Sequence, residues 1–76
     1  MMETTGFFWS KTLPRVNKVL ANEGFAVMPT CNGVMCLIDS EDTELNCPPL
    51  ITRFNCSQLA SFETVLALAK LAIASL

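Results

Sequence analysis

The chain has 76 residues, a net charge of −2 and four cysteines, with 51% of its residues hydrophobic and 16% charged. That length accommodates one small domain, 1–76, and so apolar a composition excludes a disordered chain. Net acidity counts against a general nucleic-acid binder. A chain this short has a thin core, so the apolar excess points to a surface shared with another molecule.

The N-terminal segment 1–9 carries Glu3 near its front and an apolar run of only Phe7, Phe8 and Trp9, which is no secretory signal. The longest apolar stretch, "LALAKLAIASL" from Leu66 to Leu76, is shorter than the roughly 20 residues that span a bilayer. The expectation is a cytoplasmic, intracellular protein with reduced cysteines and no membrane partner.

A first helix is expected from Leu13 to Glu23. Ser10 or Thr12 would cap it, Pro14 would sit in its first turn, and Gly24 would stop it. On a helical wheel Leu13, Val16 and Leu20 share one side, with Lys11, Arg15, Lys18 and Asn22 opposite.

A hairpin follows, with "FAVMPTC" and "VMCLID" flanking Asn32-Gly33. That dipeptide is the strongest short signal for a two-residue type I′ turn, which pairs Cys31 with Val34 and Val27 with Ile38. One face then carries Val27, Pro29, Cys31, Val34, Cys36 and Ile38. The other carries Ala26, Met28, Thr30, Met35 and Leu37. Both faces are apolar, so both need cover from helices or from a second copy.

Residues 39–49 read as an acidic, proline-containing loop. Asp39, Glu41, Asp42 and Glu44 crowd its start, and Pro48 and Pro49 bar regular structure. It lacks the ligand spacing of a calcium loop, and it is expected to be the most mobile internal segment. "LITRF" is expected to form a short third strand. A last helix is expected to open at Asn55, with Gln58 completing a capping box and Phe54 and Leu59 a hydrophobic staple. Its core face would be Leu59, Phe62, Val65, Leu66, Ala69, Ile73 and Leu76, with Glu63 and Lys70 on a narrow wet strip. Leu68 and Leu71 lie on its back, beside Ala60, Ala67 and Ala74. The order α-β-β-(β)-α implies an α+β fold, with helices packed on a small antiparallel sheet built around the hairpin.

Chemistry has little material. The chain has no histidine and no tyrosine, and no glycine-rich phosphate loop. The cysteine spacing, C-x4-C-x10-C-x8-C, lacks the tight knuckle of a structural zinc site. The four thiols are therefore expected to be structural, with no metal and no cofactor; a zinc-stapled module is a further alternative. The expected function is non-enzymatic: a small protein-binding module, an inhibitor or adaptor that occupies a partner's surface and self-associates as a homodimer. Its interface would comprise Leu68, Leu71, Ala60, Ala67 and Ala74, with Phe7 and Trp9 as aromatic anchors. Domains of this size recur among accessory proteins of phages and other mobile elements. The alternative from another class is a small nucleic-acid-binding regulator that contacts its anionic partner through Lys11, Arg15 and Lys18.

Overall fold

The computed structural model describes residues 2–30, 33–57 and 59–76, with side chains from residue 11 onward among them. In chain order these form helix α1 (Met2–Leu20), strands β1 (Phe25–Pro29), β2 (Val34–Asp39) and β3 (Thr52–Asn55), and helix α2 (Phe62–Ala74). The strands make one antiparallel sheet in the order β1-β2-β3. The α+β expectation holds, with the third strand present.

The wheel of α1 reads as expected: Leu13, Val16 and Leu20 are buried, while Lys11, Arg15, Lys18 and Asn22 are exposed. Its start does not. The helix begins at Met2, so Ser10 and Thr12 lie inside it rather than capping it. Pro14 is likewise interior; on an exposed face it deprives the helix of a single donor, and the helix runs through it. The end is as read. A 3₁₀ turn (Ala21–Glu23) leads to Gly24 at φ 87, whose N–H donates to the Ala21 carbonyl.

The hairpin differs from its expected register by one residue. Val27 pairs with Leu37 and Ala26 with Ile38, and the Thr30 N–H donates to the Val34 carbonyl at 2.9 Å. The strands therefore meet at the Thr30–Val34 pair, with Gly33 at φ 76, and Asn32 lies outside the described residues. Left-handed glycine at the end of a three-residue loop is the common alternative to the type I′ turn. A slip of one moves every side chain to the opposite face. Phe25, Val27, Met35 and Leu37 now share a face, while Ala26, Met28, Val34, Cys36 and Ile38 occupy the other. Cys36 thus points away from the core that the expected register gave it. Cys31 lies outside the described residues.

The last helix opens later than its sequence suggests. Asn55 ends β3, and the Cys56 N–H extends the ladder by donating to the Gly33 carbonyl at 2.8 Å. The Ala60 N–H then donates to the Ser57 carbonyl. Ser61 is the N-cap, its hydroxyl accepting from the Thr64 N–H. Asn55 is therefore a strand residue and not a helix cap, and Gln58, its expected partner in the capping box, lies outside the described residues. Leu59 forms no staple, since it is 74% exposed, and Leu76 is exposed rather than part of the core face.

Both helices pack on one face of the sheet. Leu13, Val16 and Leu20 meet Val27, Met35 and Leu37 from the strands, together with Val65 and Ala69 from α2. Full burial of each aliphatic side chain contributes about 1.5–3 kcal/mol. On the opposite face Ala26 and Ile38 are also buried. Beyond β2 a 3₁₀ turn (Ser40–Asp42) adjoins β1, and the Ser40 N–H donates to the Gly24 carbonyl. Within the acidic loop, Asp39 accepts from the Glu41 N–H and the Leu45 N–H donates to the Asp42 carbonyl.

Candidate functional site

The two edges of a three-stranded sheet carry unpaired backbone groups unless something meets them. In this chain they are treated differently. At the β1 edge, Asn17 reaches across from α1. Its Oδ1 accepts from the Val27 N–H at 2.7 Å, and its Nδ2 donates to the Val27 carbonyl at 3.2 Å. Asn17 therefore mimics a neighbouring strand at one residue. Pro29, the next residue facing outward, has no N–H to present.

At the β3 edge, Arg53 and Asn55 are exposed. Beside it lies an open groove of about 650 Å³, lined by Gly33, Asn55, Cys56, Ser57, Ala60, Thr64 and Leu68. Its floor is the end of the β2–β3 ladder. Its wall is the flank of α2 that faces away from α1. The opposite flank of α2 is tied to α1: the Arg15 guanidinium stands 4.2 Å from the Phe62 ring centroid, and Lys70 Nζ lies 3.2 Å from Glu23 Oε2.

Of the residues expected at an interface, Leu71 is 65% exposed, and Ala67 and Ala74 are exposed with it. Leu68 is half-buried against the core and lines the groove. Ala60 is buried ahead of the helix rather than on its back, because α2 opens only at Phe62. Phe7 and Trp9 fall within α1, and their side chains lie outside the described residues. Lys11, Arg15 and Lys18 are exposed on α1, with Arg15 held over Phe62. The edge residues Arg53 and Asn55 had no local signal. Their exposure follows from the strand order, and the closure of the other edge follows from a contact between Asn17 and a residue ten positions away.

Among the described residues the groove contains one titratable group. Burial pushes the Cys56 thiol above its ordinary range, so it stays protonated at neutral pH, and its Sγ lies 3.5 Å from the Ser57 carbonyl as donor. A protonated thiol is a weak nucleophile and a weak metal ligand. Cys36 is half-buried on the far face of the sheet, and Cys47 is exposed. Among the described residues no three of histidine, cysteine, aspartate or glutamate gather around a point that could hold a metal ion. Among them, too, no helix is long and apolar enough to cross a membrane. Comparison of the chain with protein-family models, curated proteins and solved structures finds no match.

Proposed function

We propose that the chain is a non-enzymatic protein-binding module, an inhibitor or adaptor that works by occupying a surface of a partner protein. The observation that carries this reading is the asymmetry of the sheet. One edge is met by Asn17 at Val27, while among the described residues nothing pairs with the other, which lies beside a groove and the exposed Leu71. An exposed edge invites aggregation unless a partner uses it. Strand addition is a common mode of protein recognition, in which main-chain bonds supply affinity and adjacent pockets supply specificity.

Affinity capture with three baits tests this reading: the wild type, Leu71→Glu and Lys18→Glu. A protein, whether an untagged second copy of this chain or a different chain, should be retained by the wild type and by Lys18→Glu and be lost with Leu71→Glu. Loss with Lys18→Glu and retention with Leu71→Glu would move the docking surface to the basic side of α1 and favour an anionic partner.

A further inference from the structure

The hydrogen-bonding pattern identifies which backbone groups of β3 point outward. Thr30 bonds Val34 across the β1–β2 pair, and Cys56 bonds Gly33 across the β2–β3 pair. Antiparallel strands alternate between hydrogen-bonded and non-hydrogen-bonded pairs. Val34, Cys36 and Ile38 therefore bond towards β1, while Met35 and Leu37 bond towards their partners Phe54 and Thr52. The outward positions of β3 are Arg53 and Asn55, and each presents both an N–H and a carbonyl.

We propose that this edge pairs with the β3 edge of a second copy, antiparallel, with Arg53 of each chain opposite Asn55 of the other. Two three-stranded sheets become one of six strands. This names the occupant of the docking surface proposed above, and it rests on that reading.

Four observations select a second copy in that register. The first is the chemistry of the edge. Alternating donors and acceptors at strand spacing are met in full only by another extended backbone. The second is self-complementarity. Outward residues must face outward residues, which leaves three two-fold registers. Arg53 opposite Arg53 sets like charges against each other. Asn55 opposite Asn55 places Arg53 against Ser57, which lies past the strand end in the following turn. Arg53 opposite Asn55 uses both outward residues of each strand, and each such pair exchanges two N–H···O=C bonds. It also brings the two Phe54 rings together in the non-hydrogen-bonded position, where Cβ atoms approach to about 4.5–5.5 Å.

The third observation is the side on which α2 is bare. Thr64 and Leu68 line the groove beside Asn55, and Leu71 lies on the same flank, turned away from α1. Two copies joined at β3 bring these flanks towards each other beneath the shared sheet. At the other edge α1 reaches past β1 to place Asn17 on Val27, which draws the helix layer away from the joint. The fourth is closure. A two-fold pairing consumes the β3 edge of both copies and leaves outside the β1 edges, where Asn17 occupies Val27 and Pro29 has no N–H to offer, which disfavours further strand addition.

Sedimentation of the full chain from about 1 μM to 1 mM, with two substitutions at one exposed position, decides the matter. Asn55→Asp places a carboxylate opposite Arg53 of the other copy, twice per dimer. Asn55→Lys places a like charge there. The dimer dissociation constant should fall roughly 2- to 30-fold for the first and rise by a similar factor for the second, the range for two cross-strand charge pairs. The separation should shrink in high salt. Arg53→Pro removes an N–H that the chain's own ladder does not use, and it should yield a monomer; if that variant misfolds, the charge pair still decides. In the wild type, amide exchange at Arg53 and Asn55 should slow as concentration rises, while the Asn17-capped Val27 amide stays unchanged. A monomer throughout the range overturns the proposal, as does a dimer whose dissociation constant is the same in both charge variants. Either result leaves the capture experiment with Leu71→Glu to judge the docking surface separately.

Discussion

Cys56 is held as a small apolar side chain at the joint between strand, turn and helix. It belongs to the core cluster, and its N–H ties the turn to Gly33. Burial disfavours the thiolate, so its pKa is raised in the folded chain. The sign of the linkage follows. Over the interval between the unfolded and folded pKa values, the folded state holds a proton that the unfolded state has released. Stability is therefore insensitive to this group at neutral pH and falls as pH rises above about 8.5. The difference in unfolding free energy between wild type and Cys56→Ala, from urea titrations, should be constant near pH 7 and decline towards pH ~10. A difference that stays constant across that range would show the thiolate to be no worse placed in the fold than in the unfolded chain. Iodoacetamide at neutral pH should label Cys47, which is exposed, well before Cys56.

At the scale of elements, Asn17 joins a helix to a strand edge. Asn17→Ala leaves the Val27 N–H and carbonyl without their partner in a partly buried place. The expected cost is about 1–3 kcal/mol, read from the urea midpoint. The variant should also aggregate more readily as concentration rises, because both sheet edges are then open. Unchanged stability and unchanged solubility would mean that water replaces the side chain without loss. The same elements show how far the sequence is legible. The buried side of α1 and its Gly24 stop follow from spacing and from left-handed geometry, and both stand. The hairpin register does not, because Asn-Gly is a strong type I′ signal while the pairing is set by the core face, which needs Val27, Met35 and Leu37 together. The start of α2 is misread for a similar reason. Asn55 and Ser61 are both competent caps, and the β3 ladder reaching Cys56 decides between them. Leu68 and Leu71 could be picked from a wheel. The edge beside them could not, since it exists only once the strand order is known.

At the scale of the whole molecule, the surplus of apolar residues divides into what two helices and one sheet face can hide and what they cannot. Leu68 and Leu71 mark that division on a single flank of α2. Leu68 packs against the core, whereas Leu71 stands 65% exposed one turn further on. Leucine and glutamate have similar helix propensities, so Leu71→Glu changes little within one chain. Its carboxylate lies towards the C-terminal end of α2, which costs only about 0.3–1 kcal/mol against the helix dipole. Leu68→Glu instead places a charge where an apolar side chain was half-buried, and it should destabilise the chain by about 1–3 kcal/mol. Urea unfolding at a concentration low enough to keep the chain monomeric should therefore separate the two variants clearly. Sedimentation should reverse the emphasis: Leu71→Glu, close to wild type in stability, loses the dimer because its leucine is available only to another chain. If Leu71→Glu instead unfolds as readily as Leu68→Glu, the flank is interior and α2 has no free face. If it remains folded and dimeric, association runs through some other surface, and the leucine is simply tolerated in water.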